Sequence, residues 1–352
     1  MRQWAPTVRI AALLLATAGA IKATTASTPV NWGLRRIDPP NLQRGGTFPH
    51  IADGTGVNIY IIDTGVLRTA VDFVDAQRKS RVTYVGDFCT GVRRPPGDSP
   101  YETYDDGYDG HGTHIASYAA GNRAGVAKNA KIYSLRAEGS SGPHHVSTDG
   151  PGCGNGAPQS SLAVKAAVDW ITQNGQRPAV VNLSFCCYTS AVWDAIHSSI
   201  SAGFVYALSA GTGGDVVGHW GIQLPKEAFI VAGTRSDDSP LATTYGGALS
   251  LFAPAQGLCG ARLGLGSRSG CPEGYSVPET AQGNNPAGDS FAAPWATGVA
   301  ATYLQHHQDA TPEDVRTAIL NRTASVAGLP QGLLQVVRES APGEIGGGKI
   351  QD

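Results

Sequence analysis

The sequence predicts an α/β fold with a mostly parallel central sheet and helices on both faces. Apolar residues make up 41% of the 352 positions and charged residues only 15%, a composition able to bury a sizeable core. Apolar runs of four to six residues alternate with amphipathic stretches, the signature of repeated βα units. The runs are continuous rather than alternating, as strands of a parallel sheet covered on both faces should be.

Taken in order, the N-terminus comes first. Arg2 and Arg9 precede an apolar run over 10–15, and small residues follow through Ala26. This reads as a secretory signal peptide over residues 1–26, with Ala18-Gly19-Ala20 or Thr24-Thr25-Ala26 as the cleavage site. The run is well short of the ~20 residues that a membrane span needs, and no later segment approaches that length. Buried strands are predicted over 58–62, 131–135, 179–183, 204–208 and 229–231, and helices over 111–120, 161–173, 191–202, 291–306 and 312–321. The last helix has the plainest start signal: Thr311 as a hydroxyl cap, Pro312 at the first helical position, and Glu313 and Asp314 in the first turn. No change in composition splits the chain, so one domain over 27–340 is expected, followed by a flexible Gly-rich tail over 341–352.

Charge and cysteine usage narrow the function classes. The formal net charge is −2, and cleavage after Ala26 removes three cations and no acids. That balance gives no grip for nucleic acid or an anionic membrane. Six cysteines suit an oxidising compartment but are too sparse to be the framework of the fold. Cys259 and Cys271 flank a Gly-rich loop and are the expected pair. Cys186 and Cys187 are adjacent and bridge each other only under strain, which leaves at least one as a free thiol or paired with Cys89 or Cys153. None has metal-ligand spacing, so no metal site is predicted from them.

Three short motifs carry the chemistry. Asp63 ends a predicted strand in Ile61-Ile62-Asp63-Thr64-Gly65, at the carboxyl edge where open α/β sheets gather their sites. An aspartic-protease reading of Asp-Thr-Gly needs a second such motif, and the chain has none. His111 opens a helix in Gly110-His111-Gly112-Thr113-His114, with glycines that leave room for a substrate beside a general base. His111 and His114 lack the acid or thiol that a zinc site would add at the right spacing. Ser290, in Gly288-Asp289-Ser290-Phe291-Ala292-Ala293-Pro294, stands at a helix start, where backbone N–H groups and the helix dipole favour a developing oxyanion. The order Asp63, His111, Ser290 differs from the Ser, acid, His order of the α/β-hydrolases.

On these residues the chain resembles the subtilisin-like serine peptidases, nearest the proteinase K group. Trp32-Gly33-Leu34-Arg35-Arg36-Ile37, Gly125-Val126-Ala127, Val180-Val181-Asn182-Leu183-Ser184 and Ala210-Gly211 add weaker matches, and together they span about residues 31–320. The resemblance implies a three-layer fold and an Asp-His-Ser triad working through an acyl-enzyme: Ser290 as nucleophile, His111 as base and then acid, Asp63 orienting the imidazole. It implies an oxyanion hole from the Ser290 N–H and the residue after Ala210-Gly211. It also implies a peptide groove around Ser141-Gly142 and Ser184-Phe185-Cys186.

Departures from that pattern are specific. Thr212 stands where the family has its oxyanion Asn, Asp289 where it has Thr, and Cys186 where it has a Gly lining the specificity pocket. Ser250 aligns with the Asp through which the proteinase K group binds calcium, so that cofactor is in question here. The domain starts a few residues after the predicted signal peptide, leaving no room for the family's propeptide. The expected function is a secreted, monomeric serine endopeptidase acting on protein or peptide substrates. The competing expectation is a pseudopeptidase that binds peptides and cuts them slowly or not at all. Asn321-Arg322-Thr323 is the expected glycan acceptor, because Asn182-Leu183-Ser184 falls in a predicted buried strand.

Overall fold

The computed structural model describes residues 32–38, 52–89, 93, 95, 110–138, 158–184, 189–211, 224–241, 248–261, 271–276 and 288–337. In chain order its first half holds α1 (Trp32–Arg36), β1 (Asn58–Asp63), β2 (Val82–Asp87), α2 (His111–Ala120), β3 (Lys131–Arg136), α3 (Pro158–Asn174), β4 (Ala179–Leu183) and α4 (Ser190–Ser201). Then follow β5 (Val205–Ser209), β6 (Phe229–Thr234), β7 (Leu251–Pro254), β8 (Gly260–Ala261), β9 (Tyr275–Ser276), α5 (Ala293–His306), α6 (Pro312–Leu320), β10 (Ala324–Val326) and β11 (Leu329–Leu333).

Nine of these strands form one sheet in the order β10-β11-β7-β6-β5-β4-β1-β3-β2. All neighbours are parallel except the β10-β11 hairpin. Alternate residues of each strand feed two different cores. Ile59, Ile61, Val180, Val205 and Val231 pack with α2 and α5 on one face. Tyr60, Ile62, Val181, Tyr206 and Ile230 pack with α3 and α4 on the other. This is the predicted three-layer architecture, and the continuous apolar runs are its cause.

β1 sits where the strand order reverses, between β3 and β4, with Ile62 level with both Leu135 and Leu183. Such a reversal opens a crevice at the carboxyl ends of the strands. Asp63 ends β1 at that crevice, and Ser184 follows β4 beside it.

Every predicted strand and helix is present, and the additions have local reasons. β2 contains an exposed Thr83 and a register shift at Gly86, so it does not read as a clean apolar run. β7 is four residues ending in Pro254, and β11 carries Pro330 and Gly332, residues that normally punctuate strands. The helix predicted from Phe291 instead begins as a 3-10 turn over Asp289–Phe291, with α5 starting at Ala293. Pro294 has no N–H to give to the carbonyl four residues back, so the α-helical ladder cannot run through it. α6 begins as predicted: Thr311 Oγ1 accepts from Asp314 N, and the Asp314 carboxylate accepts from the Thr311 N–H. The Thr311 hydroxyl also donates to that carboxylate at 2.6 Å, and this bond, followed by the one from the Thr311 N–H, lowers the Asp314 pKa.

Cys259 and Cys271 form the expected disulfide, closing the loop that begins with β8, and β9 follows just beyond it. Cys89 is also disulfide-bonded. Cys186 and Cys187, on which the free-thiol expectation falls, lie outside the described residues, as do Cys153 and the predicted signal peptide and tail.

Asn321 follows α6 and is exposed, whereas Asn182 is fully buried with its amide donating to Ser184 Oγ at 2.9 Å. Secretion from a eukaryotic host is therefore expected to place a glycan on Asn321 and none on Asn182. A mass unchanged by glycosidase, or a glycan that survives Asn321→Gln, would contradict this.

Candidate active site

The site is assembled from two helix starts at the reversal of the strand order. At the first, Gly110 takes the left-handed conformation (φ 72°) that glycine reaches without steric cost, and α2 begins at His111. Gly112 is required for close approach: a Cβ there would lie 2.1 Å from the Gly65 carbonyl and 2.9 Å from Asp63 Oδ1. The imidazole and the carboxylate consequently meet, His111 Nδ1 lying 2.8 Å from Asp63 Oδ1.

Asp63 is fully buried, and its Oδ1 also accepts from the Thr64 N–H at 2.8 Å. A carboxylate oxygen can only accept, so Nδ1 carries the proton and Nε2 is left with its lone pair. The His111 side chain keeps 17% of its surface exposed, so that lone pair belongs to a ring within reach of solvent and substrate.

α2 is held firmly from behind. His114 is fully buried, with Nδ1 donating to Gly110 O at 2.9 Å and Nε2 accepting from Ser276 Oγ at 3.3 Å, so both nitrogens are engaged by protein. Ser117 Oγ donates to the buried Asp72 at 2.6 Å and accepts from the Ala261 N–H at 2.9 Å. Tyr275 OH donates to the same carboxylate at 2.7 Å, and burial together with the Asp72 charge pushes its pKa well up. The start of the loop closed by Cys259 and Cys271, together with β9 just after it, thereby braces the helix that carries His111.

Ser290 lies in the 3-10 turn ahead of α5, and the ring of its neighbour Phe291 is 5.6 Å from that of His111. Its hydroxyl donates to Ser184 O at 2.7 Å, while Ser184 Oγ donates to Ser290 O at 2.9 Å. The carbonyl that Pro294 cannot serve is thus satisfied from β4. Asn182 Nδ2 donates to Ser184 Oγ at 2.9 Å, and Thr297 Oγ1 donates to Asn182 Oδ1 at 2.9 Å. The sequence places Ser184 in the peptide groove and Asn182 in the matched run 180–184 without a role, and it does not single out Thr297. A polar residue within an otherwise apolar strand or helix is the signal that Asn182 and Thr297 share.

Ala210 and Gly211 lead out of β5, both buried, with Ala210 N bonded to Val231 O at 2.9 Å. Thr212, Ser141, Gly142, Phe185 and Cys186 lie outside the described residues.

The subtilase family profile matches residues 54–336, most of the chain. The chain belongs to the subtilase family. An extracellular serine proteinase of a Thermus species is 32% identical over 302 residues, covering 85% of this subtilase and 63% of that protein. Alkaline serine exoprotease A of Vibrio alginolyticus is 29% identical over 87% of this chain and 49% of its own. The chain thus spans about half to two thirds of the length of these relatives. Among solved structures, a cold adapted subtilisin-like serine proteinase superposes with a TM-score of 0.65 at 27% identity, covering 89% of this chain and all of that one. Fervidolysin from Fervidobacterium pennivorans shares the fold with a TM-score of 0.62 over 87% of this chain and 44% of that one.

The calcium position of the proteinase K group does not fit this subtilase. Ser250 is neutral and 6% exposed, and its Oγ accepts from the Ile230 N–H at 3.0 Å. The Arg316 guanidinium reaches it from α6: Nη2 lies 3.4 Å from Ser250 Oγ and Nε 3.4 Å from the Ala228 carbonyl. A fixed cation beside an uncharged hydroxyl repels a second cation. Arg316→Ala is therefore expected to lower Tm by about 2–4 °C by calorimetry, equally with calcium and with chelator. A calcium-dependent gain in wild-type Tm that Arg316→Ala or Ser250→Ala abolishes would contradict this.

Proposed function

We propose that this chain is a secreted serine endopeptidase that cuts protein or peptide substrates through Asp63, His111 and Ser290. The observation that carries the reading is the 2.8 Å bond from His111 Nδ1 to the buried Asp63. A bond of this kind fixes the tautomer that a general base needs. A binding module has no physical need for it. The Ser290 turn beside the His111 ring and the family membership support the same reading.

In the proposed reaction His111 Nε2 takes the proton from Ser290 Oγ as the oxygen adds to the scissile carbonyl. The negative charge that forms on the carbonyl oxygen is met by the Ser290 N–H and by Thr212. Collapse expels the amine, which receives the proton from His111 and leaves an acyl-Ser290 ester. A water, deprotonated by His111, then hydrolyses the ester. Asp63 stays ionised throughout and stabilises the imidazolium. Predicted secretion and a monomeric state complete the reading. Among the described residues no helix is long and apolar enough to cross a membrane.

A fluorophosphonate tests it, since it labels only a serine activated in this way. Wild-type protein should take up one equivalent and Ser290→Ala none. Peptide binding without labelling would overturn the peptidase reading in favour of a binding protein.

A further inference from the structure

Next to the proposed nucleophile stands a buried acid that the triad does not use. Asp289 is 1% exposed, and its Oδ1 accepts from the Gly233 N–H of β6 at 2.7 Å. Gly233 has no room for a side chain beside that bond. A Cβ added to it would come within 2.5 Å of both Ala255 Cβ and Leu241 Cδ1, and within 3.0 Å of Asp289 Oδ1 itself.

From the other side, the reciprocal bonds with Ser184 tie Ser290 to the end of β4. Because β4, β5 and β6 are consecutive, the 3-10 turn bridges the carboxyl end of β5, where Ala210 and Gly211 leave toward Thr212. The peptide unit between Asp289 and Ser290 is the one whose N–H serves the oxyanion in the proposed reaction. Its plane is therefore set by two anchors, a neutral pair on the β4 side and a carboxylate on the β6 side.

We infer that Asp289 is a positioning residue: its carboxylate, held by the Gly233 N–H, orients the peptide unit that presents the Ser290 N–H to the oxyanion. The inference rests on the serine peptidase reading above. A hydrogen bond closed inside the protein is electrostatically stronger than the same bond in water. Threonine, the family's usual residue here, carries its one side-chain oxygen a bond nearer the backbone, short of the Gly233 N–H that the Asp289 carboxylate meets. Oxyanion donors act within about 3 Å of the charge that develops, so a small rotation of this peptide weakens the transition state and leaves substrate binding intact.

The test uses the full chain with a chromogenic peptide anilide, rates being divided by active sites counted with fluorophosphonate. Asp289→Ala is expected to lower kcat about 10–100-fold with KM within about twofold, and Asp289→Asn, which keeps an acceptor oxygen, to recover most of the loss. If the alanine variant does not fold, Asp289→Thr replaces it, with the same expected fall. Unchanged kcat per site in Ala or Thr, a loss carried by KM, or an Asn variant as impaired as Ala would overturn the inference. Wild-type labelling is the control: if it fails, the peptidase reading falls and this inference with it. If it succeeds, the variants alone decide.

Discussion

Replacing Ser290 or His111 by alanine is expected to lower kcat by about 10⁵–10⁶-fold, and the double variant hardly further. The reason is that nucleophile and base act as one unit: without His111 the hydroxyl keeps its proton, and without Ser290 the base has no oxygen to activate. Asp63→Asn is expected to cost about 10⁴-fold, because a donor amide facing Nδ1 forces the opposite tautomer and moves the ring proton to Nε2. Folding should survive in the first two, since Ser290 and His111 are partly exposed, whereas Asp63 is fully buried and its variant needs a melting curve alongside. Peptide hydrolysis at saturating substrate measures each effect. Ser290→Ala or His111→Ala activity within tenfold of wild type would remove that residue from the mechanism.

Thr212→Asn is expected to work in the other direction, raising kcat with little change in KM. One oxyanion donor is worth roughly 10²–10³ in turnover, about 3–4 kcal/mol. The threonine hydroxyl stands one bond nearer the backbone than an Asn amide, so it falls short by roughly a bond length of ~1.5 Å. A shortfall of that size forfeits most of the donor's effect, and the contact forms only in the transition state, which is why kcat and not KM should respond. Wild-type turnover equal to that of the Asn variant would show that Thr212 itself, or a water, completes the hole. Zero hydrolysis by both would favour the binding protein over the peptidase. The two substitutions at the oxyanion hole also bear on each other. With Thr212 a weak donor, the Ser290 N–H carries more of the charge, so the Asp289 anchor should matter more in wild type than in Thr212→Asn.

The calcium position teaches a related lesson. Ser250 in place of an acid is visible in the sequence, but the cation that takes up the position comes from Arg316, 66 residues later on α6. Only the packing of α6 against the sheet brings the two together.

By itself the sequence determined the fold class, and it singled out Asp63, His111 and Ser290, the three side chains of the proposed reaction, at strand and helix ends. Those properties are local: an apolar run has its period whatever surrounds it, Gly110 and Gly112 announce a tight turn, and Thr311 with Asp314 caps a helix from within four residues. It singled out the Cys259–Cys271 pair as well, because the two flank a Gly-rich loop. The tertiary structure alone decided what each polar group faces. Asp63 and His111 are 48 residues apart and Ser184 and Ser290 106 apart, and their bonds exist because α2 packs against β1 and α5 against β4. The start of α5 was decided in the same way, since the carbonyl left over by Pro294 needed a partner, and β4 supplied one. Hydrogen-bond partners distant in the chain leave no periodic trace, because satisfying a buried polar group depends on which strands lie side by side and not on the spacing of residues along either one.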